Sequence, residues 1–585
     1  MSMTPEFEGS LDRFSRRAAI RGGTAGLISA AMIAGGVRHT TQAQVATPDD
    51  TTPATPEITE GEALVPDLTG VTPLTLTGDR LTRFEVHAAA TLAELGIPGA
   101  SIAVVQNGEV VFAQGFGVRE QGQPEPVTAE TLLRIGSVTK SFSSLLAATL
   151  VDAGKLDWDT PLVDLLPEFA VEDPALTPKL TIADAFSAAT GLPRRDLEIV
   201  FNGDEHTAEE SVASIADLPL TAPYGTTYQY NNQLVGAGGY AAAVADNELG
   251  DDLLRSYEIA LRTRVLDPIG MPSTTLSIED VLASEDYATP HGAGLAGELQ
   301  PLPLLDDTHW LESIAPSGAL WSNATEMARY LQTELGRGLN PDGTRVVSTE
   351  NLERTWQPGI ELPPATGLPS ELAAAGEHYG LGWALGNYGG QRLVWHSGGT
   401  LGFTSLATFL PDAGLGVVTL TNGSGLAPFL FTSSVQFQLL EVLFDLPAMF
   451  DWKLIPLIAQ SDQGRSDLVA SLGQVDAAAV GGHLGIYANP DLGQLTLLMA
   501  DDQLLLTDGQ LRFVLRPLLD ENGTATATAY LPVDPPFAGP PPQFSVTLHQ
   551  HDDQPQMILT AQGDTGEDDL VYTFVWEGAN ATPTS

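Results

Sequence analysis

The segment Gly136-Ser137-Val138-Thr139-Lys140 places a serine at the start of a predicted helix and a lysine one turn later on the same face. A serine hydroxyl is a weak nucleophile until a base removes its proton, and a lysine amine can be that base only when neutral. The chain holds four lysines, at 140, 155, 179 and 453, so one inside this pattern is informative. We predict Ser137 as nucleophile and Lys140 as its base. The alternative is a helix cap followed by an exposed lysine.

A tyrosine and an asparagine follow in Tyr230-Asn231-Asn232, ahead of an apolar helical stretch at 234–243. A second copy of this spelling, Tyr487-Ala488-Asn489, lies in a region of short strands next to a proline, and we reject it. Tyr230 is a candidate for proton transfer with Ser137, provided that a cation such as Lys140 is near. The alternative is a buried structural tyrosine and a helix-capping asparagine.

The third segment is His396-Ser397-Gly398, with Gly399 next, at the end of a predicted strand. Small residues such as Gly398 allow a strand to pass close beside another piece of backbone. The similar spelling His483-Leu484-Gly485 lies in the C-terminal strand-rich region, and we set it aside. The alternative for His396 is an ordinary strand histidine.

The three segments stand among further short motifs between residues 80 and 440. These are Ile97-Pro98-Gly99, Gly154-Lys155-Leu156-Asp157, Thr190-Gly191-Leu192-Pro193, Pro268-Ile269-Gly270-Met271, Gly380-Leu381-Gly382-Trp383 and the strand-ending Asn422. With them the chain resembles the serine β-lactamase and penicillin-recognising family, in particular its class C, DD-peptidase, D-aminopeptidase and esterase branch.

The resemblance implies a role for each candidate residue. Tyr230 would help to move the proton from Ser137 to the leaving group, and Asn232 would donate to an amide carbonyl of the substrate. The amides of Ser137 and Gly399 would form the oxyanion hole. His396 would either contact a substrate carboxylate or support the proton network of the tyrosine and lysine.

The sequence also departs from the pattern of the family. Ala188 stands where many relatives carry histidine, and Tyr224-Gly225 replaces the usual Pro-Gly. Neither the Ser-Asp-Asn nor the Lys-Thr-Gly triplet of the class A enzymes is present, so a separate glutamate base is not expected. Because many relatives have lysine where this chain has His396, we rank peptidase or esterase activity above that of a dedicated β-lactamase.

Composition excludes several classes of function. The 585 residues include 74 acidic and 26 basic side chains, a formal net charge of −48, which argues against binding nucleic acid. There is no cysteine, hence no disulfide and no thiol nucleophile. The ten histidines show no His-Glu-x-x-His spacing, and His549 and His551 are expected to be an ordinary strand pair. We predict no metal and no cofactor.

The N-terminal residues 1–43 are typical of an export signal. Arg16 and Arg17 precede a mild apolar run at 22–37, and small residues at 41–43 suit cleavage. Paired arginines favour the twin-arginine route. We expect an exported protein that meets the membrane only transiently, through this segment; an uncleaved anchor is the alternative.

Four further regions follow. Residues 44–75 are predicted to be a disordered linker, 76–446 the catalytic domain, 447–480 a connector and 481–582 a C-terminal β domain. The expected fold is α+β: an antiparallel sheet flanked by helices with a helical subdomain, plus an all-β, barrel-like domain.

These observations predict an exported serine hydrolase that acts through an acyl-enzyme. Its substrate would be a small molecule or peptide with an amide or ester bond: a D-amino-acid peptide, a peptidoglycan-derived peptide, a simple ester or a β-lactam. The alternative is a non-catalytic cell-wall sensor or binding protein on the same fold.

Overall fold

The computed structural model describes residues 65–201, 206–246, 252–303, 308–364, 370–509, 511–520, 522–535, 544–552, 554–561 and 569–578. The predicted export signal lies outside them. Both parts of the expected fold are confirmed: a helix-flanked antiparallel sheet and a separate all-β barrel.

The first unit is built on an eight-stranded antiparallel sheet with two small two-stranded ribbons. Its strands are β1 (Gly99–Gln106), β2 (Glu109–Gly117), β3 (Leu133–Arg134), β4 (His291–Ala293), β5 (Leu299–Pro301), β6 (Trp321–Ser322), β7 (Ile360–Glu361), β8 (His378–Tyr379), β9 (Ala384–Tyr388), β10 (Gln391–Thr400), β11 (Phe403–Leu410) and β12 (Leu415–Thr421). The sheet order is β2-β1-β12-β11-β10-β9-β8-β7, so the first hairpin pairs with the last strand of the unit.

Helices cover both faces of this sheet. They are α1 (Asp79–Glu94), α2 (Thr139–Asp152), α3 (Leu162–Leu165), α4 (Ile182–Ser187), α5 (Asp196–Phe201), α6 (Ala208–Ser214), α7 (Asn232–Asp246), α8 (Leu253–Leu261), α9 (Asp267–Ile269), α10 (Ile278–Ala283), α11 (Ala315–Gly318), α12 (Ala324–Leu335), α13 (Thr349–Thr355), α14 (Ser370–Ala375) and α15 (Leu426–Leu443). Short 3₁₀ and π turns join several of them.

Alternation along β1 shows why two helical layers are needed. Ile102 and Val104 point to the face covered by α1 and α15, whereas Ala103 and Val105 point to the face that carries α2. A strand that is apolar on both faces must be covered on both. Among the helices that the structure describes, α15 is long and apolar enough to cross a membrane. However, 89% of it is buried inside the protein.

Helix α2 lies at the centre of the unit, with every residue from 139 to 150 buried. Helix α7 packs beside it and approaches the neighbouring helices α4 and α11 through glycines. A methyl group on Gly238 would lie 2.6 Å from the Cβ of Ala185, and one on Gly239 would lie 2.3 Å from the Cβ of Pro316. These glycines allow the close approach that fixes α7 within the helical layer.

The predicted disordered linker, residues 44–75, extends too far. From residue 65 the chain packs on the first unit: Leu68 is buried, and its amide donates to the carbonyl of Gly389 over 2.6 Å. Composition could not show this, because the contact is formed with strands more than 300 residues away.

The predicted connector, 447–480, contains the long helix α16 (Phe450–Ala470) and the short α17 (Ala477–Val480). Three apolar side chains on one face of α16, Phe450, Leu454 and Leu457, are buried in the same core as α1 and α15. The first half of α16 therefore packs as part of the catalytic unit.

The C-terminal domain is a closed antiparallel barrel in which consecutive strands pair. Its strands are β13 (Gly485–Asn489), β14 (Gly493–Ala500), β15 (Gln503–Thr507), β16 (Arg512–Leu519), β17 (Ala525–Pro532), β18 (Phe544–His551), β19 (Gln554–Ala561) and β20 (Leu570–Gly578). Leucine and aromatic side chains fill its interior, and β13 pairs with β20 so that the sheet closes on itself.

Helix α5 joins the barrel to the first unit. Phe201 at its end lies between Phe513 and Phe544 of the barrel, with ring centroids 5.6 and 6.0 Å away. One turn earlier, the Tyr572 hydroxyl donates to Glu198 over 3.1 Å. A side chain of the catalytic unit is thus part of the apolar core of the barrel.

Phe201→Ala is expected to weaken the attachment of the barrel by about 3 kcal/mol, because it removes a buried aromatic ring from a packed cluster. Calorimetry should show an earlier unfolding transition for the barrel. Val575→Ala is the control, since Val575 is 65% exposed on β20 and its loss should change the free energy of unfolding by less than about 0.5 kcal/mol. Equal unfolding temperatures of the barrel in the two variants would contradict the packing role given to Phe201.

Candidate active site

Ser137 and Lys140 lie next to each other at the N-terminal end of α2. A 3₁₀ turn, Gly136–Val138, leads directly into the helix, so the two side chains lie on one face. Lys140 Nζ is hydrogen-bonded to Ser137 Oγ at 2.9 Å and donates to the carbonyl of Ser317 over 2.7 Å. Lys140 is fully buried and Ser137 is half-buried. The predicted nucleophile and base are therefore in direct contact.

Burial lowers the pKa of Lys140 well below its ordinary value, and the positive charge of Arg194 lowers it further, while Asp196 opposes the shift. Removing an ammonium group from water disfavours its charged form. The amine is consequently neutral under conditions in which an exposed lysine is charged. A neutral amine has a lone pair that can accept the hydroxyl proton of Ser137.

Tyr230 lies immediately before α7 and faces the same pair. Its side chain is hydrogen-bonded to Ser137, and Lys140 Nζ lies 4.7 Å from the centre of its ring. Burial raises the pKa of Tyr230 above its ordinary value. The phenol is thus protonated, and it lies beside the lysine amine and the serine hydroxyl between which a proton must move.

The two asparagines of the second motif differ in their partners. Asn231 is buried, donates to the carbonyl of Pro193 over 2.7 Å and accepts the amide of Leu234. Asn232 donates from Nδ2 to Asp196 Oδ1 over 2.9 Å. Asn231 therefore shapes the start of α7, whereas the carboxylate of Asp196 orients the Asn232 amide.

Arg194 and Asp196 are site residues that the sequence analysis missed. Arg194 Nε donates to Asp196 Oδ2 over 2.5 Å, and the guanidinium lies 5.3 Å from the centre of the Tyr230 ring. Desolvation opposes ionisation of Asp196, but the charge of Arg194 and the hydrogen bonds from Arg194 and Asn232 outweigh it, so its pKa lies below the ordinary value. The sequence could have indicated them in one way, because they directly follow the motif Thr190-Gly191-Leu192-Pro193.

Strand β10 passes directly against the turn that carries Ser137. A methyl group on Gly398 would lie 1.9 Å from the carbonyl oxygen of Ile135. Gly136 has a φ of +53°, and a methyl group there would lie 2.7 Å from the amide nitrogen of Gly399. Glycine is thus required at both positions. The contact brings the backbone of Gly399 beside that of the nucleophile.

His396, on β10, is buried and bonded through both ring nitrogens. Nδ1 lies 2.5 Å from the carbonyl oxygen of Ser397, and Nε2 lies 2.9 Å from the hydroxyl of Tyr379. Burial, together with the neighbouring Lys140, lowers the pKa of His396 to about 3. Tyr379 was not among the predicted site residues, although it directly precedes the Gly380-Leu381-Gly382-Trp383 motif.

The two rejected motifs lie in or beside the barrel. Tyr487 donates to the carbonyl of His483, and Asn489 donates to that of Thr573. Among the described residues, no group of three or more acidic, histidine or cysteine side chains is arranged to hold a metal ion.

A family model for β-lactamase matches residues 84–434 of this sequence. The chain belongs to the β-lactamase family. This confirms the resemblance inferred from the three motifs. At the level of the family it supports a serine hydrolase that acts on small-molecule or peptide substrates.

This β-lactamase-family protein is similar in sequence to proteins that have different names. The unguisins hydrolase of Aspergillus campestris is 29% identical over an alignment of 451 positions that covers 73% of this chain and 80% of that protein. Penicillin-binding protein 4 of Amycolatopsis lactamdurans is 29% identical over 336 residues, 57% of this chain and 83% of the relative. A β-lactamase of Escherichia coli is 25% identical over an alignment of 379 positions that covers 58% of this chain and 88% of the enzyme.

Among solved structures, the octameric penicillin-binding protein homologue from Pyrococcus abyssi is similar in fold. It superposes with a TM-score of 0.54 at 22% identity, and the match covers 85% of this chain and 99% of that one.

Substitutions at the Arg194–Asp196 pair should shift the pH profile of activity in opposite directions. Arg194→Gln removes a positive charge and raises the pKa of Lys140, whereas Asp196→Asn removes a negative charge and lowers it. A base is active in its neutral form, so kcat/KM falls as the pH falls through this pKa. With an uncharged ester, the acid limb should move to higher pH in Arg194→Gln and to lower pH in Asp196→Asn. Shifts in one direction, or none, would contradict this coupling.

Gly398→Ala is expected to lower kcat/KM by about 100-fold or more, since the added methyl forces β10 away from Ile135 and displaces the Gly399 amide. Gly482→Ala is the control, because a methyl there meets no atom within 4 Å. Steady-state kinetics measures the effect, and circular dichroism shows that both variants fold. Near-normal activity of Gly398→Ala would show that catalysis does not depend on the close approach of β10 to Ile135.

Proposed function

We propose that this protein is an exported serine hydrolase that cleaves amide or ester bonds through an acyl-enzyme on Ser137. The observation that carries the proposal is the 2.9 Å contact between Ser137 Oγ and the buried amine of Lys140. Family membership supports the reaction class. The paired arginines before an apolar run support export.

The reaction proceeds in two halves. Lys140 accepts the hydroxyl proton as Ser137 Oγ attacks the substrate carbonyl, and a tetrahedral oxyanion forms. The bond to the leaving group then breaks, and the leaving group takes a proton relayed from Lys140 through Tyr230. Water then attacks the acyl-enzyme, gives up a proton to the same network and releases the acid, and Ser137 recovers its proton.

Backbone and amide groups orient the substrate in this scheme. The amides of Ser137 and Gly399 stabilise the oxyanion, because Gly136 and Gly398 let the strand and the turn approach closely. Asn232, held by Asp196 through one N–H, presents its other N–H to a substrate carbonyl. These groups are in place before substrate binds, which lowers the cost of reorganisation.

Peptidase or esterase activity ranks above dedicated β-lactamase activity, because the third motif begins with His396. The substrate is a small molecule or peptide, and peptidoglycan-derived peptides belong to this class. The name of one relative, unguisins hydrolase, supports hydrolysis on this scaffold. The names of two others, a penicillin-binding protein and a β-lactamase, make β-lactams useful probes of the serine.

Ser137→Ala is expected to lower the turnover of a nitrophenyl ester more than about 10,000-fold, because the nucleophile is lost. Mass spectrometry of the wild-type protein with a β-lactam should show an adduct on Ser137. Ser471→Ala, which removes a hydroxyl bonded to Leu468 in the connector, is the control and should keep full activity. A stable adduct without turnover would favour a sensor, and no adduct with no turnover that depends on Ser137 would refute the hydrolase.

A further inference from the structure

The two ring nitrogens of His396 are both satisfied within the protein. A carbonyl oxygen can only accept, so Nδ1, next to that of Ser397, carries the proton. Nε2 then accepts the hydroxyl proton of Tyr379. The neutral ring meets both partners and has no N–H left for a third. His396 is also 5% exposed, so a ligand would have to displace one of these bonds.

Charging this ring is unfavourable. Burial removes the ring from water, and this desolvation is the main cause that lowers its pKa to about 3. A neutral, fully bonded imidazole does not offer the charge-assisted bond by which a protein anchors a carboxylate. Of the two roles open to His396 from sequence, this geometry disfavours contact with a carboxylate. Its hydrogen bond goes to Tyr379, whose ring lies edge-on 6.3 Å from that of Tyr230, and not to Tyr230 itself.

The surroundings of His396 are aromatic. The ring of Tyr379 lies 5.7 Å from that of Tyr228 and 6.3 Å from that of Tyr230, both edge-on. Leu362 and Ala384 are buried in the same cluster. A free carboxylate placed against these rings and aliphatic side chains would lose its hydration without gaining an ion pair from them.

The cation on the other side of Tyr230 is already paired. Arg194 is bound to Asp196, which also holds Asn232. A substrate carboxylate placed there would lie beside a second carboxylate. The net charge of −48 adds a repulsive field for anionic ligands.

We propose that the cleft takes an uncharged leaving group and discriminates against one that carries a free carboxylate. The substrates are then esters, amides or internal peptide bonds, in which the residue after the cleaved bond is itself blocked or continues as peptide. This inference deepens the proposed hydrolase function and rests on it.

A matched pair of thioesters tests the proposal on the wild-type protein. Both carry the same N-acetyl-D-alanyl group; one has mercaptoacetate as leaving group, and the other has the methyl ester of mercaptoacetate. Release of the thiol gives kcat/KM for each. We expect the methyl ester to be favoured by about tenfold or more, because an unpaired carboxylate is poorly tolerated in this site. Equal values, or a preference for the free carboxylate, would overturn the proposal.

His396→Lys provides the second arm, because lysine places a cation at this position. We expect the ratio of the two kcat/KM values to move towards the carboxylate substrate by about tenfold. His549→Lys makes the same exchange on an exposed barrel strand and should leave the ratio unchanged. An unaltered ratio in a folded His396→Lys protein would count against the role given to His396.

Failure of the inference is distinct from failure of the proposed function. If the neutral thioester acylates Ser137 but the carboxylate substrate is preferred, only the inference is wrong. If neither thioester nor a nitrophenyl ester acylates Ser137, the hydrolase function itself is wrong, and the inference with it.

Discussion

The structure depends on keeping one lysine amine out of water beside a serine. Desolvation of an ammonium costs several kcal/mol, so the amine of Lys140 loses its charge and becomes a base. That requires α2 to be enclosed on all sides, which the sheet and the helices packed around α2 provide. The carbonyl of Ser317 then gives the buried amine a partner that does not need a charge.

Much of this could be predicted from the sequence, because the reactive residues lie in contiguous motifs. Ser137 and Lys140 are one helical turn apart, and His396 and Gly399 lie on one strand, so local spacing fixes each pair. The short, alternating strands after residue 483 likewise predicted an all-β domain. What joined the three motifs into one site was their shared resemblance to a family, since no local rule relates residue 137 to residue 396.

The sequence did not predict contacts between segments that lie far apart along the chain, and the physical reason is the same in each case. Arg194 and Asp196 act through charge on Lys140, and Tyr379 acts by donating to His396. Their types are common at surfaces, and their meaning arises only from tertiary packing. The same holds for residues 65–75 and for α16, whose polar composition suggested a connector while its spaced Phe450, Leu454 and Leu457 pack into a core.

Helix α5 contributes side chains to both units of the protein. Asp196 at its first position belongs to the cleft, and Phe201 at its last position belongs to the interior of the barrel, within six residues. The boundary of the barrel as a folding module is therefore not the boundary seen along the chain. A chimera that exchanges C-terminal domains between relatives would have to carry α5 with the barrel, and so would import part of another protein's active site. Substrate preference and the identity of the appended domain are inherited together in such an architecture.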